Sequence, residues 1–205
     1  YTQQAWRKLP GLTNIDAQLK VSESRGSLSI AAANARLDFP RLFRNTLTAN
    51  QLTGNVAWHR HNDDWQVEAN NINVQTRDAG ARGRMALTLS AGQAPFVDLA
   101  MHFTRGDGAQ KSRYLPVGIM SPNLVEWIDR SVIDASITDG GLLYFGRTDE
   151  FPFIHEQGKF ELRMSLDNGT LSYTPGWPEI NDIKGELVYT GRSLSFEAEK
   201  GRIYD

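Results

Sequence analysis

The chain reads as an all-β protein, mainly antiparallel, with one short helix. Three observations support this: alternation with a period of two through most of its length, turn signals at short intervals, and a single segment of helical spacing. Ile15, Ala17, Leu19 and Val21 alternate with Asp16, Gln18 and Lys20. The same habit recurs at Leu28 and Ile30, Val56 and Trp58, Trp65 and Val67, Leu87 and Leu89, and Leu99 with Met101 and Phe103. It continues at Phe160, Leu162 and Met164, then at Leu187 and Tyr189, and at Leu194 and Phe196. One apolar and one polar face per strand is the signature of antiparallel sheet, whereas buried parallel strands are apolar throughout. Turns are expected at Arg60 to Asp64, Gly106 to Gly108, Asp139 to Gly141 and Asp167 to Gly169.

The segments overlay as a weak repeat, at about 15–37, 52–74 and 183–203. In each, an alanine (Ala32, Ala69, Ala198) is followed three and five residues later by two further matching positions. Stacked hairpins of similar sequence point to an array of like units. The exception is "SPNLVEWIDRSV", where Ser121 suits an N-cap and Pro122 the first turn. Leu124, Ile128 and Val132 then share one face of a helix expected over about 122–132.

Composition narrows the function classes. The 205 residues contain no cysteine, so disulfides and thiolate metal sites are excluded. A net charge of -2 with no basic stripe gives no footing for nucleic acid. No apolar run reaches the roughly 18 residues that cross a bilayer. The chain opens on Tyr1 and closes on a strand-like "GRIYD", which suggests one continuous segment (1–205) of a longer protein.

No catalytic constellation stands out. His59 and His61 share a strand face at a spacing that could bind metal, but no third ligand follows from spacing and a polar turn comes next, so a solvated hairpin end is expected. The carboxylates are scattered among turns, and there is neither a nucleophile elbow nor a phosphate loop. No catalytic residue, metal or cofactor is expected.

An amphipathic sheet must hide its apolar face. A helix of some 11 residues spans about 16 Å, whereas ten to twelve strands make a sheet roughly 50 Å wide. Either the sheet closes as a sandwich, serving as a structural or interaction module, or it curls into a groove lined for something apolar. Pattern alone favours the sandwich.

The stretches "YLPVGIMSPNLVEWID" (114–129), "GGLLYFG" (140–146), "FPFIHEQGKFEL" (151–162) and "DNGTLSYTPGWPEINDIKGELVYTG" (167–191) shift that balance. Together they resemble the YhdP branch of the AsmA-like family of Gram-negative envelope proteins. The resemblance implies a repeated β-groove, a long curled and twisted sheet with an apolar inner face. It also implies a periplasmic protein anchored in the inner membrane, bridging to the outer membrane and carrying phospholipid without catalysis. Its partners would be phospholipid acyl chains, neighbouring repeats of the same chain, and the inner membrane through an anchor elsewhere. The expected groove lining is Leu19, Val56, Trp58, Val67, Leu89, Met101, Phe103, Leu162, Met164, Leu187, Tyr189 and Phe196. Leu124, Ile128 and Val132 would form a lid over the groove or a cap ending the local sheet.

Overall fold

The computed structural model describes residues 2–3 and 11–203. It is a single meander: β1 (Thr2–Gln3), β2 (Gly11–Thr13), β3 (Ala17–Val21), β4 (Arg25–Asp38), β5 (Leu47–His61), β6 (Asp64–Gln75), β7 (Ala79–Leu89) and β8 (Phe96–Asp107). A 3-10 turn (Gly108–Gln110) and the helices α1 (Lys111–Tyr114) and α2 (Pro122–Ser131) follow. The chain then returns through β9 (Val132–Arg147), β10 (Lys159–Leu171), β11 (Ile180–Tyr189) and β12 (Leu194–Ile203). Of the terminal "GRIYD", Gly201 to Ile203 belong to β12, and Tyr204 and Asp205 lie outside the described residues, as does Tyr1.

All twelve strands form one sheet in the order β1-β2-β4-β5-β6-β7-β8-β9-β10-β11-β12, with β3 also paired to β4. Every pairing is antiparallel. Among the described residues β12 does not pair back to β1, and there is no second sheet, so neither barrel nor sandwich is made. Area says the same. A compact monomer of 22.9 kDa exposes about 9,600 Å², and this chain exposes 13068 Å². Among the described residues the buried apolar ones are mostly alanines (Ala32, Ala35, Ala49, Ala69, Ala135), joined by Ile15, Phe153 and Ile183. A closed core would have buried the large aliphatic residues instead.

The strands are bent by bulges. Asn71 has φ 53°, and the register with β7 slips by one residue between Ala69↔Met85 and Ile72↔Gly83. An extra residue in a left-handed conformation leaves Ala69 and Ile72, three apart, on the same face. Asp182 (φ 51°) does likewise between Ile180 and Ile183, and Asn34 (φ 54°) stands between the buried Ala32 and Ala35. Asn and Asp tolerate this region because their short polar side chains bond locally. The three-residue step after Ala69 is therefore a bulge, whereas β4 keeps an unbroken register with β5 across Asn34. Further slips lie between Gly80 and Ala81 of β7, and between Ser165 and Leu166 of β10.

Two expected turns are corrected by the same geometry. Asp139 to Gly141 lies inside β9, and Asp167 to Gly169 lies inside β10, where Asn168 (φ 52°) is a bulge residue. An Asn-Gly pair serves a bulge as readily as a hairpin, because both need a left-handed residue.

Helix α2 starts where expected. Ser121 caps it, accepting from Leu124 N at 3.4 Å, and Pro122 occupies the first turn. It stops at Ser131, and Val132 opens β9 opposite Leu171.

Candidate functional site

Cross-strand register assigns every strand residue to one face or the other, since directly paired residues share a face. One row runs Leu19, Leu28, Val56, Ala69, Met85, Leu99, Tyr144, Phe160. A second is apolar without interruption over nine strands, from β4 to β12: Ala32, Leu52, Val74, Ala81, Phe103, Gly140, Met164, Leu187, Phe196. Between them runs Gly83, Met101, Leu142, Leu162, Tyr189, Leu194. Trp58 pairs with Val67, which faces Leu87, and Leu89 faces Trp65. The twelve residues expected to line a groove thus lie on one face, spread over β3 to β12. Leu19, Leu89 and Phe196 are exposed there, and the rest are half-buried.

The large side chains of this face lie down upon glycines of the neighbouring strand. The Trp58 indole occupies the space a Cβ on Gly26 would need, and Phe196 does the same at Gly185, 2.8 Å from that position. A Cβ on Gly140 would meet Phe103 at 3.2 Å and Met164 at 3.3 Å. Glycines thus leave room on this face for the large side chains of neighbouring strands.

The opposite face carries most of the charged pairs, with Phe96 and Phe145 packed edge-on at one end (5.0 Å). Arg82 donates to His102 at 3.1 Å, and His102 meets Asp139 at 2.6 Å. Arg84 pairs with Asp98 (3.0 Å), and Arg163 pairs with Glu186 (2.5 Å). Exposed pairs like these contribute about 0–1 kcal/mol each.

The two rims of the apolar face differ in build. One has short hairpins and a single long loop, 148–158. That loop brings Phe151 and the buried Phe153 (φ 60°) against Tyr144 and Phe160, with centroid separations of 5.3 Å for Phe153–Tyr144 and for Phe151–Phe160. Phe160 also meets Tyr189 at 5.6 Å. Burial raises the Tyr144 hydroxyl above its ordinary range, helped by the neighbouring negative charges of Asp149 and Glu150.

The other rim carries the helical connection. Tyr114 and Thr76 share a hydrogen bond of 2.7 Å, and Arg113 binds Asp78 at 2.8 Å, fixing α1 to the β6/β7 turn. The Tyr114 hydroxyl is also raised, chiefly by burial. Gly118 N donates to Leu42 O (3.1 Å), and Arg44 grips Asp129 with two bonds, at 3.1 and 2.5 Å. Beyond Ser131, Ser172 N donates to the Ser131 carbonyl at 2.8 Å. Trp127 meets Tyr173 edge-on at 6.2 Å. Helix α2 is thus pinned between the β4/β5 loop and the β10/β11 corner, with Leu124 and Ile128 half-buried. Val132 belongs to β9 and not to the helix. His59 and His61 are exposed, and no cluster of three His, Cys, Asp or Glu suited to a metal occurs among the described residues.

The family model described as "YhdP protein" matches residues 1–205. The chain belongs to the YhdP family. It is similar to the intermembrane phospholipid transporter YhdP of Escherichia coli (strain K12), at 26% identity over 189 residues. That alignment covers 92% of this chain but only 15% of the relative, so the chain corresponds to a small part of a YhdP protein's length. No solved structure matches it. No helix among the described residues is long and apolar enough to cross a membrane.

The Phe151 and Phe153 packing was not read from the sequence, although the Phe-Pro-Phe run was a visible signal for it. Neither was the Arg44–Asp129 pair, which joins residues 85 apart and has no local signature.

Proposed function

We propose that this chain is a segment of a periplasmic bridge that carries phospholipid between the inner and outer membranes along an apolar β-groove, without catalysis. The row of apolar residues unbroken from β4 to β12 carries this reading. At about 4.8 Å per strand it is a path of roughly 38 Å. Acyl chains on this path would replace water over the half-buried floor, including Val56, Met101, Met164 and Leu187, and would meet no buried charge. Headgroups would stay at the rims in water. Helix α2, with Leu124 and Ile128 half-buried, would wall or cover one side, and neighbouring segments of the same protein would continue the path. The name of the E. coli relative supports phospholipid as cargo.

The test is photocrosslinking from the full-length protein. Photoreactive residues at 56, 101, 164 and 187 are expected to capture phospholipid, and residues at 57, 163 and 186 on the other face are not. Equal capture from both faces, or none from the floor, would refute the reading.

A further inference from the structure

The two rims of the groove also differ in charge, and the difference bears on how a lipid would sit. On the short-hairpin rim, the connections (22–24, 62–63, 90–95, 148–158 and 190–193) carry Glu23, Asp63, Asp149, Glu150 and Glu156 against Arg192 alone, a net of -4. Of the strand-end cations only Arg60, paired through Trp65 with Leu89, offsets this on the inner side among the described residues. Arg25, Arg147 and Lys159 share the outer face with His59, Phe96 and Phe145. Arg60 pairs with Asp63 at 3.3 Å and brings the net to -3, and Arg147 is held by the Ala94 carbonyl at 2.9 Å.

On the long-connection rim, residues 39–46, 76–78, 108–131 and 172–179 carry Arg41, Arg44, Arg77, Lys111, Arg113 and Arg130. Against them stand Asp78, Glu126, Asp129 and Glu179, a net of +2. Asp78 and Asp129 are taken up by Arg113 and Arg44, while Arg41, Arg77, Lys111 and Arg130 enter no ion pair among the described residues. Three strand-end charges here are engaged: Asp107 accepts from Ala109 N (2.9 Å), Asp182 binds Arg202 (2.6 Å), and Arg105 donates to the Thr76 and Arg77 carbonyls, while Asp38 at the end of β4 takes one unit from the basic balance. The same rim exposes Tyr173 (54%) and Trp177 (69%). Exposed tyrosine and tryptophan favour the level where glycerol and headgroup meet acyl chain.

Resting on the lipid-groove reading above, we infer that phospholipids lie in the groove in one orientation, with the anionic phosphodiester over the basic, aromatic long-connection rim and away from the acidic short-hairpin rim. Along strands of ten or more residues the rims lie about 33 Å apart, against a Debye length near 8 Å. Each rim therefore acts on a headgroup independently, one attracting and one repelling. This gives the Pro-Gly-Trp-Pro corner at 175–178 a role beyond turning the chain: it sets Trp177 beside the headgroup track.

The experiment uses the full-length protein and two phosphatidylglycerol analogues, one photoreactive in the headgroup and one at the acyl tip, with adducts mapped by mass spectrometry. Headgroup adducts are expected on 39–46, 76–78, 108–131 and 172–179 over the short hairpins by at least about fivefold, the factor one cation contributes near anionic lipid. The double variant Arg77→Glu, Arg130→Glu should lower that ratio while acyl-tip adducts on the floor persist. Equal or reversed headgroup labelling, with floor adducts intact, overturns the orientation and leaves the groove reading standing. Loss of the acyl-tip adducts in the unmutated protein overturns both.

Discussion

The two faces of this sheet are built from the same strands and differ by one residue of register, yet they behave as different materials. On the outer face Arg163 reaches Glu186 at 2.5 Å with both side chains partly exposed to water. One position along, Met164 lies beside Gly140 in an apolar row that crosses nine strands. A closed protein would have turned that second face inward and buried it. Here it stays half open, because the sheet has no partner layer and the helix is too short to supply one. An amphipathic sheet this wide is therefore incomplete without something apolar against it, which is why we read the face as a site and not as a core.

The sharpest way to break the comparison is to charge the inner face. Val56→Asp or Met164→Arg should leave the fold intact, since both sites are half-buried, yet reduce phospholipid capture by about a hundredfold. A charge among acyl chains costs about 2.5–3.5 kcal/mol. Arg163→Ala, one residue from Met164 but outside, should change capture less than threefold and stability by about 0–1 kcal/mol. If the two substitutions act alike, the faces are not functionally distinct.

Next in size is the packing against the floor's glycines. In Gly140→Val the new Cβ would sit 2.8 Å from the Arg163 carbonyl and displace Phe103 and Met164. Thermal or denaturant unfolding should show a loss of about 1–3 kcal/mol. A comparable substitution at Gly92, where a Cβ meets nothing within 4 Å, isolates the effect of packing from that of backbone, since its φ of 70° also strains any side chain.

The bulges provide a subtler test. Asn71→Val forces a β-branched residue into φ 53° and should cost about 1–2 kcal/mol, whereas Asn71→Gly should be nearly neutral. A variant that removes the bulge without loss would mean the bulge is not set locally.

The smallest effect is alkaline. Tyr114 and Tyr144 have hydroxyls raised mainly by burial, so the folded state holds their protons more tightly than the unfolded chain. Their contribution is complete below the ordinary tyrosine value of about 10 and fades as pH climbs through the raised values. Absorbance titration should show two late-ionising tyrosines, and Tyr114→Phe should remove one.

Much of this could be read from residue order. The alternation at Leu99, Met101 and Phe103, or at Leu162 and Met164, specified which residues share a face, because a strand's period of two leaves no other arrangement. Ser121 and Pro122 marked the start of α2 to the residue. The expected turns at Asp139 to Gly141 and Asp167 to Gly169 were misplaced because left-handed Asn and Gly residues signal bulges and hairpins alike. The i, i+3, i+5 step after Ala69 was visible, but its cause was not, since a bulge shows itself only through the neighbouring strand's register.

By itself, then, the sequence determined strand identity, facing and the helix start, all of which are local consequences of periodicity and capping. Tertiary structure decided that the sheet stays open, that Phe151 and Phe153 close over Tyr144, and that Arg44 anchors α2. The Arg44 anchor joins residues 85 apart and the Phe closure depends on how loop 148–158 folds back on β9, neither of which leaves a periodic trace, and an apolar face carries the same pattern whether it meets a second sheet, a lipid or water.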